Sequence, residues 1–143
     1  MGAAVIAEGS AQEVAFLIDR FASTTTGVTS AIVLSTDGMK LAASVSLQTD
    51  QADRFAATAS AVYSLSSAVG REFGFDGFQQ SILRYGNGHV IVTALGESAA
   101  LAVITMPDAK LGQVSYEMSL FAQRVGTLLT PEVRRQLRGG LVP

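Results

Sequence analysis

The sequence predicts an α/β protein of the α+β type: one antiparallel sheet of about five strands with helices on both faces. Three observations carry this. Long segments place apolar residues every three or four positions, as helices do. Five strand-like runs come as a pair and then a trio, each joined by a glycine-containing turn. Those runs are mostly apolar on both alternating sides, so both faces of the sheet need cover. The predicted order is αββαβββα.

The first helix is predicted from Ser10, where Ser10-Ala11-Gln12-Glu13 forms a capping box, to about Thr26, with Val14, Leu17, Ile18 and Phe21 on its apolar side. Gly27 can take the left-handed conformation that ends it. VTSAIVLS and the run following STDGMK then form a hairpin around Asp37-Gly38. The second helix is predicted from Asp50, its cap, to Phe73, with Ala52, Phe55, Ala59, Val62, Ser66, Val69 and Phe73 as its core stripe and Gly74 closing it.

FQQSILRY, HVIVTAL and AALAVITM follow as a meander, turning at Gly86-Asn87-Gly88 and Gly96-Glu97-Ser98. Gln79, Gln80, Ser81 and Arg84 make the first the most polar of the three, which suits a sheet edge. Asp108 is predicted to cap a last long helix carrying Leu111, Val114, Met118, Phe121, Val125 and Leu128. Thr130-Pro131-Glu132 starts a short amphipathic turn, and RRQLRGGLVP reads as a frayed basic tail. Residues 1–143 thus form a single domain with a core over about 10–129 and a tail over 130–143.

A composition of 48% hydrophobic and 15% charged residues lets burial offset chain entropy and excludes global disorder. A charged fraction well under the usual quarter also points to surface covered by a partner. With ten basic against twelve acidic residues, nothing attracts the phosphate backbone of nucleic acid. The absence of cysteine rules out disulfide and thiolate chemistry and fits a cytoplasmic location. MGAAVIAEGS has neither a basic leader nor a long apolar stretch, and Ile6 stands where a myristoylation signal needs Ser or Thr, so no membrane insertion is expected.

Catalytic and metal sites need converging titratable groups, and here a single histidine accompanies acids scattered over caps and turns. His89, directly after a turn, reads as an exposed strand-start residue with no role. GREFGFDG lacks the Lys and following Ser/Thr of a phosphate loop, and its glycines read as a helix cap and a turn. Arg134, Arg135 and Arg138 read as solvated arginines. No catalytic residue, cofactor or metal is expected.

The anomaly is the second helix. Opposite its predicted core stripe lie Ala57, Ala61, Ser64, Leu65 and Ala68, and no charged residue occurs from Phe55 through Gly70. A helix lying on a sheet normally shows Lys, Glu and Arg to water on that side. Small residues at such spacing admit close approach by another helix or protein. These five residues, with Gln79 and Ser81 of the polar edge, are the predicted partner or dimer interface.

FLIDRFASTTTGVTSAIVLSTDGMKLAAS, AATASAVYSLSSAVG and ALAVITMPDAKLGQVSYEMSLFAQRVGTLLTPEVRRQLR together resemble the Roadblock/dynein light chain family over about Glu13 to Leu137. The likeness is in particular to the form encoded in actinobacterial conservon operons beside a Ras-like GTPase. It implies a profilin-like fold, with the second helix on one face of a five-stranded antiparallel sheet and the first and third on the other. It also implies a non-catalytic homodimer that scaffolds or regulates a small Ras-like GTPase in bacterial signalling or polarity, with other conservon proteins as further partners. A small-ligand sensor of profilin-like or GAF/PAS-like shape is the alternative, and would need a pocket with converging polar groups.

Overall fold

The computed structural model describes residues 2–139. Its elements are α1 (Gly2–Thr24), β1 (Val28–Ser35), β2 (Lys40–Ala43), α2 (Thr49–Phe73), β3 (Gln80–Tyr85), β4 (Gly88–Leu95), β5 (Ala99–Thr105), α3 (Leu111–Gly126) and α4 (Pro131–Arg138). The five strands form one antiparallel sheet in the order β2-β1-β5-β4-β3. The α+β class and the polar edge strand β3 agree with the sequence reading, and one helix is added at the C-terminal end.

Strand pleating divides the core in two. Ala31, Val33, Ile91, Leu101 and Val103 point to one face, where α1, α3 and α4 cover them with Val14, Ile18, Val114, Met118, Val125 and Val133. Phe21 of α1 meets Phe121 of α3 edge to face, with ring centroids 5.4 Å apart. Ile32, Leu34, Val92, Ala100 and Ala102 point to the other face, under α2 alone, which supplies Ala52, Ala56 and Ala59. Such small side chains bring the helix close to the sheet, and they bury little area.

Helix boundaries differ from the sequence expectation in informative ways. α1 begins at Gly2, so Ser10 lies inside the helix and its capping box is unused. The preceding residues are rich in alanine, a strong helix former, and Ala7 joins the core there. α2 begins after Gln48 rather than Asp50, and the Gln51 side chain accepts the Gln48 N–H at 3.3 Å. α3 begins after Lys110 rather than Asp108, because Met106 to Ala109 close a turn first, with Ala109 N–H donating to the Met106 carbonyl at 3.2 Å. It stops at Gly126, leaving Leu128 half-buried in the loop beyond.

The expected frayed tail is in part an ordered helix. Thr130 caps α4 by accepting the Val133 N–H at 3.3 Å, Pro131 occupies its first turn, and Val133 and Leu137 are buried. Its arginines are not merely solvated. Arg134 donates to the Leu129 carbonyl at 2.7 Å, Arg135 pairs with Glu132 at 3.2 Å, and Arg138 pairs with Asp37 at 3.0 Å. The GLVP part of the expected tail lies outside the described residues.

His89 is buried rather than exposed, because β4 runs between β3 and β5. Its Nδ1 lies 3.2 Å from the Thr105 hydroxyl, which itself donates to the Met106 carbonyl. The helix-to-strand corner depends on Gly27: at φ 89° it takes a conformation unfavourable for other residues, and a Cβ there would sit 2.6 Å from that of Ala109.

Candidate interaction surface

α2 spans about 37 Å at ~1.5 Å per residue, whereas the eight-residue strands reach only about 27 Å. Only its first half can therefore sit squarely on the sheet. Ala52, Ala56 and Ala59 are buried, and Phe55, Val62 and Ser66 are half-buried. Val69 and Phe73, expected in the core stripe, are exposed at 51% and 66%. The apolar stripe continues past the surface it was expected to cover.

Ala57, Ala61, Ser64, Leu65 and Ala68 are all exposed, as their helical phase requires, and Leu65 is 70% exposed. Beside them runs β3, an edge strand paired only with β4. Gln79, just before the strand, is exposed, and its carbonyl accepts the Ala94 N–H at 3.1 Å. Ser81 differs from expectation. It is half-buried, and its hydroxyl meets that of Ser66 on α2 at 2.7 Å, joining edge strand to helix instead of facing outward.

The sequence reading missed the aromatic end of this surface. Phe73 and Phe75 stack across the Gly74 cap at a centroid distance of 6.2 Å, both mostly exposed, and Tyr85 is exposed on β3. Tyr85 shares the α2 side of the sheet with Ser81, four residues along the pleat. Ile82, on the opposite side with Ile91, is also exposed. The available signal was the FGF triplet, where a helix-ending glycine stands between two large apolar residues with no later element to bury them.

Two grooves lie elsewhere. One of about 560 Å³ follows the β2 edge, lined by Phe16, Leu41, Val45, Leu47 and Leu137, with Asp19 and Lys40 as its charged groups. Asp19 already accepts the Val45 N–H at 3.0 Å. The second, of about 360 Å³, lies between the start of α1 and the α3–α4 connection. Among the described residues no three His, Cys, Asp or Glu side chains group as metal ligands, and no helix is long and apolar enough to cross a membrane. The Ser35 hydroxyl, opposed by desolvation and aided by Arg138, holds the Asp37 carboxyl below the usual range.

A five-stranded antiparallel sheet with one helix on one face and three on the other defines the class as a single-sheet α+β domain. The chain belongs to the Roadblock/LC7 domain family, whose model matches residues 14–105. Two Roadblock/LC7 domain structures from Streptomyces avermitilis resemble it. One is 29% identical, covering 80% of this chain and 96% of that one with a TM-score of 0.76. The other is 32% identical, covering 78% and 97% with a TM-score of 0.65. MglB of Myxococcus xanthus shares the fold at 13% identity, covering 81% of this chain and 94% of its own with a TM-score of 0.75. No curated protein matches the sequence.

Proposed function

We propose that this chain is a non-enzymatic, cytoplasmic homodimer that scaffolds or regulates a small Ras-like GTPase in bacterial signalling or polarity. The observation that carries this reading is the exposed, uncharged outer face of α2 beside the open edge β3. Pairing two β3 edges antiparallel about a two-fold axis would satisfy their free backbone groups and continue the sheet from one subunit to the next. The same axis would bring two α2 faces together. Leu65, Val69, Phe73 and Phe75 add exposed apolar area that a partner would remove from water. Family membership supports the GTPase part of the reading, and the lack of a phosphate loop in the sequence fits a nucleotide held by the partner.

Ala61→Arg tests it. Arginine is a good helix former and the position is exposed, so melting should stay near wild type. In a close-packed interface the added bulk and charge would cost several kcal/mol. Sedimentation equilibrium at micromolar concentration should show a wild-type dimer that Ala61→Arg dissociates, and capture of the GTPase should fail with it. A monomeric wild type, or a variant that dimerises and captures GTPase normally, overturns the reading. So does calorimetric binding of GTP, GDP or ATP by the chain alone at micromolar strength.

A further inference from the structure

The family model covers residues 14–105, and α4 lies outside it. α4 packs on α1 and β2, burying Val133 and Leu137, four residues apart on one side of a two-turn helix. Eight residues are too few to stay helical in water unaided, so the helix depends on being docked. It does not fill its berth. The 360 Å³ groove opens at its N-terminal end, where Val133 is a wall, and the 560 Å³ groove opens at its C-terminal end, where Leu137 is a wall. α4 is a short plug in a longer furrow.

Most of its polar interactions are internal. The Thr130 cap, the Arg134 bond to the Leu129 carbonyl and the Arg135–Glu132 pair shape the helix and its lead-in without attaching them to anything else. Among the described residues, one side-chain link ties α4 to the body of the domain. Arg138 Nη2 donates to Asp37 Oδ1 and Oδ2 at 3.0 and 3.1 Å. Asp37 is set in the β1–β2 turn, where its carboxylate also accepts the Ser35 hydroxyl. The latch therefore joins the last turn of α4 to the β1–β2 hairpin, 101 residues away in sequence.

We propose that α4 is a releasable clasp, latched by Arg138 on Asp37, whose undocking joins the two grooves into one furrow along α1 and β2. Release uncovers Val133, Leu137 and the side chains beneath them but breaks no strand pairing, so opening is local and leaves the sheet intact. Both latch groups are substantially exposed, at 41% and 61%, so ionic strength sets how firmly the clasp is held.

Hydrogen exchange on the full chain at neutral pH tests this in wild type, Asp37→Asn, Arg138→Gln and the double variant. Amides of residues 134–139 should exchange several-fold faster in each single variant, no faster again in the double, with β1, β4 and β5 unchanged. Salt raised to about 1 M should speed α4 exchange in wild type and leave the variants unmoved, which loss of packing alone would not produce. The chain has no cysteine, so Ala7→Cys, buried at the groove floor beside Val133, reports on the furrow itself. Its labelling by a thiol reagent should be several-fold faster when combined with Asp37→Asn. Equal α4 exchange in wild type and variants, acceleration spread over the whole sheet, or unchanged labelling at Ala7→Cys would each overturn the proposal.

Discussion

The two faces of the sheet are built to different specifications. Under α1, α3 and α4 the filling is large and interlocking: Ile18, Phe21, Leu101, Met118 and Phe121. Under α2 the fully buried helix side chains are three alanines, with Phe55, Val62 and Tyr63 half-buried beside them, and the fully buried bulk comes from the strands. A thick apolar layer contributes more stability, since the gain scales with area removed from water. A thin layer sets a helix close down on the sheet and leaves its outer side free to be specified by something else. On α2 that outer side has no charge over four turns, which is the basis for proposing it as a contact face.

The sharpest way to break this comparison is to remove bulk from the thick face. Met118→Ala, at a fully buried position, should cost about 2–5 kcal/mol by transfer loss and cavity formation, read as a lowered midpoint in denaturant. A loss below about 1 kcal/mol would mean that this layer is not the main source of stability. The thin face is tested by adding bulk. Ala56→Leu, pressed against the sheet, should cost about 1–3 kcal/mol through overpacking, while Ala57→Leu one position along should leave the monomer's stability within about 0.5 kcal/mol. Equal effects would show that the helix phase is wrong.

The smallest effect concerns the hairpin. Asp37 has its carboxyl held below the usual carboxylate range, first by the Ser35 hydroxyl and then by Arg138, against desolvation. A depressed folded-state pKa adds stability that is fully present above the unfolded value and is lost as pH falls through the folded one. Wild type should therefore exceed Asp37→Asn by a constant margin around neutral pH, and the two should converge in acidic solution as the carboxyl is protonated. Denaturant midpoints at neutral pH and near pH 3 would check this. A gap unchanged by acid would show that the difference is not electrostatic.

Five strands, three of the four helices, the edge character of β3 and the uncharged outer face of α2 were all legible from local pattern. That is because side-chain period and turn chemistry report the environment of each segment directly. The α1 start was misread because Ser10-Ala11-Gln12-Glu13 offers a cap that an alanine-rich continuation, seated by Ala7 in the core, overrides. Val69 and Phe73 fit a buried stripe by spacing, but no sheet lies beneath them.

What the sequence determined by itself was the layout of one sheet with helices on both faces. Helical and strand periods, turn glycines and the inventory of titratable groups are local properties. Tertiary structure alone decided how far α2 outruns the sheet, that Ser81 turns inward to Ser66, that His89 is buried, and that the supposed tail folds back to reach Asp37. Each of these depends on which surfaces meet across long sequence separations. Local pattern carries the demand for cover, whereas the supply of cover is set by the lengths and crossing of elements that are distant in the chain.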